Sequence, residues 1–109
     1  MRQFAVELTA SAERDLEDLF DYVAATRSAA QAHALLDRLL QRVKTLETFP
    51  DRGAIPMELD VLGISEFRQL LVVPYRLIYR VMGRKVFILV IADGRRNMQE
   101  LLERRLLAG

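Results

Sequence analysis

Residues 67–92 read FRQLLVVPYRLIYRVMGRKVFILVIA, and their pattern is that of extended chain. Phe67 to Val73 is rich in strand-forming residues, and Pro74 ends the run. From Tyr75 to Met82 the residues alternate, with Tyr75, Leu77, Tyr79 and Val81 on one side and Arg76, Ile78 and Arg80 on the other. Gly83-Arg84 supplies a turn. Val86 to Ile91 is continuously apolar, as expected of a central strand covered on both faces. Three strands with short connections predict an antiparallel meander, with strands near 66–73, 75–82 and 85–92.

Upstream, the period changes. Phe4, Val6 and Leu8 alternate with polar or small residues, which predicts a short strand near 2–8. Thr9 is placed to cap a helix near 9–25, whose stripe is Ala12, Leu16, Leu19, Phe20 and Val23. Ser28-Ala29-Ala30-Gln31 opens a second helix near 28–49 with the stripe Ala32, Leu35, Leu36, Leu39, Leu40, Val43 and Leu46. Pro50 disfavours helical geometry in the residue before it and so ends that helix. Pro50, Gly53, Pro56 and Gly63 mark residues 50–63 as a loop. After Gly94, Asn97 caps a short last helix with Leu101, Leu102 and Leu106 turned inward. The expected architecture is a single two-layer α+β domain over 1–109, ordered β-α-α-β-β-β on an antiparallel sheet, with a short C-terminal helix. Its helix hairpin packs on one face of the sheet.

Composition narrows the chemistry. The chain has 109 residues, 51% hydrophobic and 28% charged, which describes one globular domain. It has no cysteine and one histidine, which leaves no thiol nucleophile, no thiolate metal site and no multi-histidine cluster. No metal and no cofactor is expected. No apolar run is long enough to span a membrane and no signal-peptide pattern opens the chain, so a cytoplasmic protein is expected. The net charge of +1 is unevenly spread. Residues 1–63 carry 7 Lys/Arg and 11 Asp/Glu, whereas residues 64–109 carry 9 and 4. An anionic partner is therefore expected at the second half, although a solvated surface accounts equally for the difference.

Alternation places Arg76 and Arg80 on one strand face, and Arg95 and Arg96 follow the next strand. Guanidinium groups gathered on an open sheet face suit phosphate or carboxylate recognition. The same residues also keep a sheet face soluble and discourage edge pairing. His33 has no second histidine near it, Ser11, Ser28 and Ser65 have no adjacent base, and Asp15, Asp18 and Asp21 form an acidic helix flank. The helix stripes carry more large residues than one sheet face covers, with Leu36, Leu40 and Leu62 left for exposure and hence for a protein interface.

The order of these pieces is similar to that of the RelE/ParE superfamily of bacterial toxins. The resemblance runs through the alternating first strand, LTASAERDLEDL (8–19), TLETFPDRG (45–53), YRLIYRV (75–81) and GRR (94–96) before the last helix. It implies a toxin neutralised by a cognate antitoxin, whose segment folds across an apolar groove of the hairpin and C-terminal helix at Leu36, Leu40, Leu101 and Leu102. In the RelE-like branch, which cleaves messenger RNA on the ribosome, the resemblance puts phosphate-stabilising arginines at Arg76 and Arg96, with Arg68 in place of an expected lysine. Leu70 and Leu102 fall where that branch has a second lysine and a tyrosine, and no Tyr or His follows Tyr79. Arginine is a poor general base, and Glu66 and Asp93 are the carboxylates left on this face. The ParE-like branch, which inhibits DNA gyrase, resembles this chain better. No catalytic residues are then expected, target contact falls to Arg76, Arg80, Arg95 and Arg96, and direct nucleic-acid binding is not expected. The alternatives are the ribosome-dependent endoribonuclease and a degenerate toxin kept as an antitoxin-binding partner.

Overall fold

The computed structural model describes residues 3–108. Along the chain lie β1 (Ala5–Leu8), α1 (Ala10–Thr26), α2 (Ala29–Lys44), a 3-10 turn (Thr45–Glu47), α3 (Met57–Asp60), β2 (Arg68–Val72), β3 (Tyr75–Met82), β4 (Lys85–Asp93) and α4 (Met98–Leu102). A wide π-helical turn, Glu103–Leu107, extends α4. The expected α+β order is therefore present; the part of the first strand expected at Arg2 lies outside the described residues. Thr9 caps α1 by accepting from the Ala12 amide at 3.2 Å, and Ser28 caps α2 by accepting from Gln31 at 3.0 Å. Each bond satisfies an amide that the first helical turn leaves without a partner.

The strands form one sheet in the order β1-β4-β3-β2. The meander pairs antiparallel, but β1 joins it in parallel, from Ala5↔Lys85 to Leu8↔Ile88, so the sheet is mixed. A bulge interrupts β3–β4. Tyr79 faces Ile88 and Ile78 faces Val90, which leaves Leu89 unopposed. The extra residue shifts the alternation of β4 by one. Val86, Ile88 and Ile91 consequently enter the core beneath the hairpin, while Val90 and Ala92 enter a second core on the opposite face. This division explains why Val86 to Ile91 carries no polar position.

The first core joins Val23, Leu35, Leu39, Val43 and Leu46 of the helical hairpin to Leu70, Val72, Leu77 and Tyr79 of the sheet. Buried side chains of this size contribute roughly 1.5–3 kcal/mol each. The Tyr79 hydroxyl donates to Pro50 O at 2.7 Å and accepts from Gly53 N at 3.0 Å. A Cβ on Gly53 would stand 2.6 Å from that hydroxyl, so the loop closes on the ring because residue 53 has no side chain. Burial holds the Tyr79 phenol above its usual range, which suits a structural role rather than proton transfer.

The second sheet face is not open, contrary to the sequence expectation. Residues 50–63 are not loop throughout, because Met57–Asp60 forms the helical turn α3. Leu59 on that turn, Phe67, Ile78, Val90, Ala92, Met98, Leu101 and Leu102 make a compact second core. Leu59, Ile78, Val90 and Leu102 are completely buried. A four-residue helix and a five-residue helix thus roof the face that carries Arg76.

Candidate interaction site

The arginines expected on one surface are held in three separate settings. Arg76 stands opposite Ala92 on the second face, so it lies at the rim of the smaller core. Its Nε donates to Gln69 Oε1 at 2.8 Å. Its Nη1 and Nη2 form a two-pronged bond to Glu58 of α3 at 2.8 and 2.7 Å. Both side chains are mostly buried, at 13% and 22% exposed. Chiefly through this hydrogen bond, the Glu58 carboxyl is held below its ordinary value of 4.5. The Arg76 stem also packs against Gly94, where a Cβ would come within 2.8 Å of Arg76 Cδ. Gln99 of α4 donates to the Glu58 main-chain oxygen, which ties both short helices to this one arginine.

Arg80 shares that face but lies at its wet end, 3.5 Å from Glu66 and over the ring of Phe67. Arg68 pairs opposite Tyr79 and so belongs to the hairpin side of the sheet. There it donates to Gly53 O at 2.8 Å and Asp51 O at 3.3 Å, pinning the loop after α2. The nuclease set expected at Arg68, Arg76 and Arg96 is accordingly not assembled.

Arg95 and Arg96 do not join Arg76 and Arg80. They line a cleft of about 540 Å³ between α1 and the end of β4, together with Asp18, Tyr22, Arg27 and Tyr75. Arg95 is held by Asp93, whose carboxyl this hydrogen bonding depresses. Asp15, read as one of an acidic flank, also lines this cleft. It accepts from the Ile91 amide at 3.0 Å and from both Nη atoms of Arg105 at 3.0 and 2.9 Å. Arg105 also donates to Leu89 O. The pair covers the side of β4 that has no strand beside it once β1 has ended.

The four leucines expected to share one groove are divided by the sheet. Leu36 is half-buried and Leu40 is 42% exposed, both on the outer side of α2. Leu36 lines a shallow groove with Leu16, Phe20 and His33, whose ring meets Phe20 edge-on at 4.9 Å. Leu101 and Leu102 are 4% and 0% exposed and belong to the second core, so they are not part of the hairpin groove. Leu62 is exposed at the end of α3. Sequence reading missed Glu58, Gln69 and Arg27. Nothing local links Glu58 to an arginine 18 positions away, because their meeting depends on α3 folding back over β3.

Comparison with known proteins adds to this geometry. The family described as "ParE toxin of type II toxin-antitoxin system, parDE" matches residues 6–98. No curated protein matches the sequence. Among solved structures, a chain of the chromosomal ParDE toxin–antitoxin system from P. aeruginosa superposes with a TM-score of 0.70 at 24% identity. That match covers 84% of this chain and 96% of the other. A chain of the toxin–antitoxin complex RelBE2 from Mycobacterium tuberculosis superposes with a TM-score of 0.62 at 22% identity, covering 85% and 93%. At these identities the superpositions speak to the fold alone. Among the described residues, no helix is long and apolar enough to cross a membrane.

Proposed function

Since the chain belongs to the ParE toxin family of type II toxin–antitoxin systems, we propose that it acts in the cytoplasm by inhibiting DNA gyrase, and that a cognate antitoxin neutralises it. The observation that supports gyrase over messenger RNA is the state of Arg76. As a phosphate-stabilising group it would need free N–H donors aimed at the scissile bond. Instead three of its five N–H groups, one on each nitrogen, are engaged by Gln69 and Glu58, and the side chain is only 13% exposed. Arg76 is then a structural residue, and contact with the target passes to the half-buried Arg80 and the exposed Arg95 and Arg96.

Two assays on the purified chain separate the branches. It is expected to inhibit gyrase supercoiling while messages on translating ribosomes stay intact by primer extension. Site-specific cuts in a translated message would overturn the reading.

For the antitoxin, the groove beside Leu36 and Leu40 is the proposed docking surface, because exposed aliphatic side chains rimmed by charge suit a partner's apolar face. The Leu36→Asp/Leu40→Asp variant is expected to weaken the complex by at least about 1–2 kcal/mol in calorimetry. Unchanged affinity in the folded double variant would move the antitoxin elsewhere.

A further inference from the structure

We propose that the cleft between α1 and the end of β4 is a second docking site for the antitoxin, and that it takes an extended acidic segment whose carboxylates pair with Arg27 and Arg96. This rests on the antitoxin reading above and adds to it a site on the far side of α1 from Leu36 and Leu40.

The cleft gathers three guanidinium groups and three carboxylates, and neither set is uniform. Asp15 is taken by Arg105 and Asp93 by Arg95, which leaves Asp18 as the carboxylate of the lining without an ion pair among the described residues. Arg95 is neutralised by Asp93. Arg27 and Arg96 make no ion pair or side-chain hydrogen bond among the described residues, yet both line the cleft. Arg27 arrives from the C-cap of α1, where its amide donates to Val23 O, and Arg96 from the turn after β4, where its amide donates to Asp93 O. Their backbone positions are set by these bonds, and the Arg96 charge also helps to hold the Asp93 carboxyl down. Tyr22, 66% exposed, and the half-buried Tyr75 add two aromatic surfaces. Such rings hold an apolar side chain at little cost in conformational entropy.

Charge selects the partner's chemistry. Two cations without an ion pair, set against the one unpaired carboxylate Asp18, favour an anionic ligand, and guanidinium groups match carboxylates in geometry as well as charge. A continuous polyanion fits poorly, because Asp15, Asp18 and Asp93 line the same cleft as the cations. A strand of nucleic acid would bring successive phosphates against those carboxylates. A peptide places one or two carboxylates where the cations are and neutral groups elsewhere. An acidic segment seated here would also cover Arg95 and Arg96, two of the groups assigned above to target contact. Neutralisation would then occur by direct occupation of the target-binding surface.

The test uses the toxin with its cognate antitoxin. In Arg27→Glu/Arg96→Glu, affinity is expected to fall at least about tenfold at low salt and less at high salt, because part of the attraction is screened. Both positions are exposed, so the melting midpoint should match that of the wild type. A photo-crosslinking residue in place of Tyr22 is expected to capture an antitoxin peptide rich in Asp and Glu. Affinity within about twofold of wild type in the double variant, or capture of a neutral or basic peptide, would overturn the proposal. So would a fluorescent oligothymidylate that binds the wild type and not the double variant, which would give the cleft to nucleic acid. Should the wild type itself not bind the antitoxin, the antitoxin reading falls and this proposal with it. Wild-type binding with an unaffected double variant removes this proposal alone.

Discussion

Arg76→Ala is expected to lose about 2–4 kcal/mol of folding stability, somewhat below the range for breaking a fully buried ion pair because the pair keeps some contact with water. At this chain length that corresponds to a melting midpoint lower by roughly 10–15 °C. The loss arises because Glu58 would remain a mostly buried carboxylate with its two partner N–H groups gone. Gln69 would lose its partner as well. Arg95→Ala, by contrast, should leave the midpoint where it is, since that side chain is solvent-exposed. Acid titration offers an independent check. Glu58 has its folded-state pKa lowered from 4.5, so the pair's contribution is complete above that pH and is lost as the pH falls below it through the folded value. Glu58→Gln should flatten this part of the stability profile. If chemical denaturation finds Arg76→Ala as stable as wild type, Arg76 is not holding α3 to the sheet, and its availability for phosphate must be reconsidered.

Leu102→Ala is expected to cost about 2–5 kcal/mol, the range for emptying a filled aliphatic site. Leu102 is completely buried against a core that also contains Leu59, Ile78 and Val90. Its removal loosens α4 from the sheet and, through Gln99 and Glu58, α3 from α4. Urea unfolding followed by circular dichroism measures the effect. A change below about 1 kcal/mol would mean that α4 docks weakly, since full truncation of a packed leucine does not come that cheaply.

The helices and strands were legible because their apolar residues repeat with clear periods, and because Thr9 and Ser28 mark the helix starts. The second core was not legible, for two physical reasons. An apolar run such as Val86 to Ile91 reads the same with or without a bulge, so the face of each residue past Leu89 was hidden. A four-residue helix has too few positions to show a period, and Pro56 and Gly63 beside α3 look like loop punctuation. Alternation did put Arg76 and Arg80 on one face correctly. Whether that face was open depended on Leu59 of α3 joining the core that holds Val90, an association between distant parts of the chain. Arg95 and Arg96 lie beyond the end of β4, where alternation no longer applies and turn geometry directs the side chains.

The parallel pairing of β1 with β4 also bears on how the protein comes into being on the ribosome. Ala5 meets Lys85 and Leu8 meets Ile88, so the sheet's first strand waits for its last. The helical hairpin can form early from local contacts, but its apolar stripe stays uncovered until the meander has been translated. Closing so long a loop before any reward from pairing slows folding relative to a chain built on local contacts. A growing chain therefore spends most of its synthesis without the completed fold, and the sheet closes only after β4 has been made.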